Sequence, residues 1–288
     1  MTRSHLFRYA AALALAGCGN LTCDQQKQAA IKHMNAGVEA ANSQSYATAE
    51  KELETALSMD PESHRAAYAL GQVYIEQRKW DKAETALETA VKYNPKDAMY
   101  QYHLGHARFE LGKLDQARLA LDESVKQNKR LYKAHFYLGK IHAAQERPKD
   151  AANAWTESCR LNPGFGKPFY ELGKLYYEWD HNQEAILVLQ QGATNARDPE
   201  DLTDIYHQLG MAYDALKQYD QSINAYNEAL KARKDNLEAR FQLGMAYAAK
   251  GDKANARKFL EEFVKQGGAG NTFLIQAAND RLLKLTGE

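Results

Sequence analysis

Residues 64–97 read HRAAYALGQVYIEQRKWDKAETALETAVKYNPKD, and this stretch decides the architecture of the chain. Leu70-Gly71 sits in an amphipathic run, Tyr74 follows one turn later, and Ala83 and Leu87 lie twelve and sixteen residues beyond the glycine. Pro95 closes the stretch after Asn94, because a residue before proline is driven out of the helical region. The Leu-Gly pair returns at Leu104-Gly105, Leu138-Gly139, Leu172-Gly173, Leu209-Gly210 and Leu243-Gly244, and one step back stands Gly37 after Ala36. The step is 34 residues except between Gly173 and Gly210, where it is 37. Self-similarity at a period of roughly 20 to 50 residues marks a solenoid, in which one small unit stacks on its neighbours. Function is then sought on a long shared surface.

Twelve residues after each glycine comes a small residue: Ala49, Ala83, Ala117, Ala151, Ala185, Ser222 and Ala256. Four further on stands a bulky one: Leu53, Leu87, Leu121, Trp155, Leu189, Tyr226 and Leu260. Small residues at the first two places let two antiparallel helices approach, and the bulky one fills the space beside them. This pattern resembles the tetratricopeptide repeat, with Leu70, Gly71, Tyr74, Ala83, Leu87, Ala90 and Pro95 all in place in one unit. The resemblance implies an all-α fold, a right-handed superhelical solenoid of seven helix-turn-helix repeats plus a C-terminal capping helix. The expected organisation is a leader over 1–17, a tether over 18–29, seven repeats over 30–270 and the capping helix over 271–288. Arg108 and His142 replace the repeat's usual tyrosine, and the three extra residues around Asp198-Pro199-Glu200-Asp201 read as a longer turn with Asp198 capping the next helix.

The amino terminus carries a second signal. Arg3 and Arg8 precede Tyr9 to Gly17, an apolar run too short to span a bilayer, which reads as a signal peptide. It ends in Leu15-Ala16-Gly17-Cys18, similar to the bacterial lipobox. That resemblance implies cleavage before Cys18, acylation of its sulfur and amine, and a membrane anchor of two or more chains. Gly19 beside it lacks the aspartate that retains enterobacterial lipoproteins in the inner membrane, so the expected location is the periplasmic face of the outer membrane.

Composition narrows the functional class. Of all residues 26% are charged and 44% hydrophobic, and losing Arg3 and Arg8 with the leader leaves 35 basic against 37 acidic side chains. No global basic field supports nucleic-acid binding. Cys23 and Cys159 are expected to stay free. His103 and His106 share a helix face but no third ligand follows at comparable spacing, so no metal is expected. Gly267-Gly268-Ala269-Gly270 lacks the lysine and preceding strand of a phosphate loop, and no nucleophile motif occurs. The reading is a protein with no catalytic residues, cofactor or small-molecule substrate.

A binding face is more legible. Residues six and three before each glycine, and one and four after it, share one stripe of the first helix of each repeat. By resemblance to the family that stripe lines the concave groove. Three before each glycine stand Met34, Tyr68, Tyr102, Phe136, Tyr170, His207 and Phe241, a mostly aromatic ladder that either packs between helices or presents rigid contact area to a peptide. Lys133, Lys140, Lys167 and Lys174 flank its middle, either as a solvated face or as a basic centre for an acidic segment of a partner.

A lipidated repeat stack also resembles the tetratricopeptide pilotins of type IV pilus systems. That implies a scaffold that binds an outer-membrane secretin or another envelope-complex subunit and helps it assemble. Two alternatives share the architecture: an adaptor docking peptidoglycan hydrolases or proteases, and a structural subunit of an envelope motility complex.

Overall fold

The computed structural model describes residues 22–267 and 271–286, and the regular elements among them are α-helices. The chain divides at Lys129/Arg130 into two compact units. In the first, α1 (Cys23–Asn42) pairs with α2 (Tyr46–Met59), α3 (His64–Glu76) with α4 (Trp80–Tyr93), and α5 (Ala98–Glu110) with α6 (Leu114–Gln127). In the second, the pairs are α7 (Tyr132–Ala144) with α8 (Pro148–Leu161), α9 (Lys167–Glu178) with α10 (Asn182–Asn195), α11 (Pro199–Ala215) with α12 (Tyr219–Ala232), and α13 (Leu237–Lys250) with α14 (Lys253–Gln266). A last helix, α15 (Thr272–Thr286), packs on α13 and α14. Within each unit the second helix of a repeat packs on its own first helix and on the first helix of the next repeat. We call the first and second helices of a repeat A and B.

The recurring glycine has a sharper reason than close helix approach. A Cβ on Gly71 would lie 2.6 Å from Leu87 Cγ, and one on Gly139 would lie 2.4 Å from Trp155 Cδ1. The bulky residue sixteen positions on lies directly over the glycine, and all seven bulky residues are buried. The A–B turns share a feature the sequence does not announce. Seven residues after each of the seven glycines the backbone is left-handed, at Gln44, Arg78, Gly112, Glu146, Asp180, Lys217 and Gly251. Only two of these are glycine, so at the other five the helix-closing bonds, such as Lys79 N–H to Tyr74 C=O at 2.8 Å, overrule local preference.

Two expectations need adjusting, and a third is met with an addition. The tether placed over 18–29 is helical from Cys23, because Thr22 and Gln25 form a reciprocal capping box (Thr22 N–H to Gln25 Oε1 2.9 Å) that starts α1 early. Asp198 caps α11 through Glu200 N–H at 2.8 Å, but Asp201 does more than add charge to that first turn. Its buried carboxylate accepts the Gly166 N–H at 3.0 Å, so the three extra residues also tie α11 to the start of α9. On α15, Leu274, Ala278, Leu282 and Leu285 join the core of Phe241, Leu260 and Phe263, whereas Phe273 is 82% and Leu283 54% exposed, since helical periodicity turns both away from that seam. Cys18, the leader and residues 268–270 lie outside the described residues.

Repeats in the first unit are also joined by carboxylate clamps. Glu50 on α2 takes Lys79 at 2.9 Å and Lys82 at 3.0 Å, and thirty-four residues on Glu84 of α4 takes Arg108 at 3.1 Å and also Lys113. The lysines hold the Glu50 carboxyl down at about 2. Burial alone would raise Glu84, but Lys113 and Arg108 outweigh it and keep it low. A carboxylate depressed in the folded state stabilises above its unfolded value and loses that contribution as pH falls towards the folded one. Hydrogen-exchange protection of α2–α5 is therefore expected to drop between the ordinary carboxylate range and about pH 2. Glu50→Gln with Glu84→Gln should flatten that part of the profile; an unchanged profile would show that the clamps contribute nothing.

Candidate functional site

Consecutive A helices touch along the first unit, and α9, α11 and α13 do so in the second, so their exposed stripes run on from one repeat to the next. In the first unit that face is neutral and notched. An open cleft of about 430 Å³ has Met34, Val38, Tyr68, Ala69 and Met99 along it, with Asn35, Gln72 and the opposite charges of Arg65 and Asp97 as polar contacts. A second notch of about 330 Å³ shares Val38, Ala69 and Gln72 and continues to Asn42 and Glu76. Tyr68 is half-buried, stacked on Tyr100 at 4.5 Å, and its hydroxyl is pushed up to about 12 by burial, aided by Asp97. Apolar notches edged by amides and a few charged groups suit side chains and backbone of an extended peptide.

The aromatic ladder separates into two kinds of residue. Tyr102 is 5%, Phe136 6% and Phe241 6% exposed, so these pack between helices. Tyr102 lies against the rings of His103 (4.7 Å) and His106 (6.2 Å), while Phe136 meets Phe165 edge-on at 5.2 Å and its carbonyl accepts Trp155 Nε1–H at 3.2 Å. Tyr68, Tyr170 and His207 are half-buried and keep a surface towards solvent. The packing role and the contact role that the sequence left open are thus divided between different members of one ladder.

Nor do the four lysines form a simple basic centre. Lys133 and Lys167 are exposed at the first turns of α7 and α9, and Lys140 lies over the Phe136 ring at 5.9 Å. Between Lys140 and Lys174 stands Glu171, which the sequence reading passed over. Burial raises its carboxyl, while the charges of Lys140 and Lys174 pull it down. Lys174 also lies 3.9 Å from Glu178, and Lys167 acts on the buried Asp201. Helical spacing of Glu171, Lys174 and Glu178 at i, i+3 and i+7 carried that information. Elsewhere, Cys159 is buried with its thiol pushed up to about 12, and Cys23 is exposed.

A stack of A–B pairs with an exposed A-helix face is the form of a protein-interaction scaffold. The tetratricopeptide repeat family matches residues 40–105, 102–164 and 207–271, more than half of the chain, and the chain belongs to that family. No curated protein sequence matches it significantly. Among solved structures it is similar to PilF of Pseudomonas aeruginosa, with TM-score 0.62 and 17% identity over 75% of this chain and 96% of that one. It is also similar to YrrB, described as a tetratricopeptide protein with an unusual peptide-binding site, with TM-score 0.57 and 18% identity over 68% and 99%. The C-terminal part of a repeat protein from Cytophaga hutchinsonii gives TM-score 0.66 and 16% identity over 86% and 99%. At such identities these likenesses concern the fold.

Proposed function

We propose that the chain is a non-catalytic, lipid-anchored scaffold at the periplasmic face of the outer membrane, which binds a protein partner along its A-helix face. We further propose that it acts as a pilotin-like assembly factor for an outer-membrane secretin of a type IV pilus or secretion machine. The observation that carries this is the order of parts: a leader ending in Leu15-Ala16-Gly17-Cys18 runs into a repeat stack whose first helix starts at Cys23, and that stack resembles PilF over nearly all of PilF's length. Among the described residues no helix is long and apolar enough to cross a membrane, so the anchor proposed is the lipid on Cys18. Few residues separate Cys18 from α1, which would hold the stack close to the bilayer surface.

Cys18→Ser is expected to abolish metabolic palmitate labelling and to leave the precursor uncut by the lipoprotein peptidase; labelling that persists would remove the anchor from the account. Affinity purification of the wild-type chain from detergent-solubilised envelope should bring down a secretin. Recovery of a peptidoglycan hydrolase, a protease or a motor subunit in its place would replace the pilotin reading with one of the two alternatives.

A further inference from the structure

The A-helix face of the second unit is not uniformly basic. Lys140 and Lys174 act on Glu171, Lys174 also lies near Glu178, and Lys167 acts on Asp201. Six residues before the last two repeat glycines, where the fourth and fifth repeats carry Lys133 and Lys167, stand Asp204 and Glu238. Both are exposed, and neither forms an ion pair within 4.0 Å among the described residues. Arg233 draws on Asp204 but lies 4.0 Å from Asp235. Tyr170, half-buried on α9, feels Glu171, Asp204, Glu238 and Glu178 together, which adds to the rise that burial causes in its phenol. His207 does not offset this near neutral pH, because burial lowers its imidazole although Glu238 and Asp204 pull the other way. Beside these groups, one residue after each glycine, lie the half-buried Met211 and Met245, where the preceding two repeats place lysine.

On the last two repeats the face has the half-buried Met211 and Met245 as its floor and the exposed carboxylates of Asp204 and Glu238 at its edge, while the exposed Lys133 and Lys167 belong to the fourth and fifth repeats. Methionine and aromatic side chains accept varied apolar groups, and carboxylates beside an aromatic ring favour ammonium or guanidinium groups. Resting on the reading that the A-helix face binds protein, we infer that the last repeats of the second unit receive a cationic amphipathic segment of the partner, with apolar side chains on Tyr170, Met211 and Met245 and lysine or arginine towards Asp204 and Glu238. The commitment is to a basic segment, opposite in sign to the acidic one that the lysines alone would select.

The test uses the full-length chain and three labelled amphipathic peptides, one of leucine and lysine, one of leucine and glutamate, and one of leucine and glutamine, read by fluorescence anisotropy. The leucine–lysine peptide should bind best, by on the order of tenfold at low salt, with the margin shrinking as salt rises. Asp204→Lys with Glu238→Lys should remove that margin; Tyr170→Ala with Met211→Ala should weaken binding of all three. Preference for the leucine–glutamate peptide, or no binding by any peptide, would overturn the proposal. A margin that survives the charge reversal while the Tyr170 and Met211 variant still abolishes binding would overturn the charge assignment alone. Binding that neither pair of substitutions changes would overturn the A-helix face as well.

Discussion

Gly139→Ala is expected to cost about 2–4 kcal/mol and to open the fourth repeat before any other. The added Cβ would stand 2.4 Å from both Cδ1 and Nε1 of Trp155, and the indole is 3% exposed, so it has nowhere to retreat. Overpacking of a filled core costs about 1–3 kcal/mol. Displacing the ring also breaks the Nε1–H bond to Phe136 C=O and leaves the buried indole N–H unmet, which adds about 1 kcal/mol or more. In a stack where each repeat leans on its neighbours, the loss should appear as faster hydrogen exchange in α7 and α8, fading along the second unit. Denaturant melts with the wild-type midpoint would contradict this account of the glycine.

Phe136→Ala should cost about 3–5 kcal/mol, the usual range for removing a buried phenylalanine, because the ring packs against Phe165, Tyr137 and the Trp155 pair and has little surface to offer a partner. Tyr170→Ala should behave differently. Its ring is only half-buried, so the fold should survive while partner capture falls. Thermal melts and pull-downs on the two single variants separate the roles. Equal stability losses, or loss of capture with Phe136→Ala at an unchanged melting temperature, would show that the ladder is not divided in this way.

Much of the fold is legible in the sequence because it rests on one period repeated in phase. Gly71, Ala83 and Leu87 announce a helix pair, and six equivalents remove the ambiguity of any single match. The extra residues at Asp198 read as a capped turn, but the reach of Asp201 to Gly166 depends on a tertiary contact thirty-five residues away. The left-handed turns at Arg78, Glu146 and Lys217 escape reading for the same reason, since packing overrules what those residues prefer alone. In the site, ladder positions were visible as a stripe, but their division into buried and exposed members depends on what lies opposite each ring. Phe136 finds Phe165, whereas Tyr170 faces a patch of carboxylates. The surroundings of the lysines were not legible along one stripe. Glu171, one residue off it, is what Lys140 and Lys174 answer to.

That partners are held on the A-helix face is tested most directly by photo-cross-linking in living cells, with benzoylphenylalanine placed one position at a time. Gln72 and Tyr170 lie on the A helices of the two units, and the exposed Leu119 and Leu187 lie on the B helices α6 and α10. Probes at Gln72 and Tyr170 should capture an envelope protein, and probes at Leu119 and Leu187 should leave the chain uncross-linked. Capture from Leu119 or Leu187 with none from Gln72 or Tyr170 would place the binding surface on the opposite side of the stack and contradict the account.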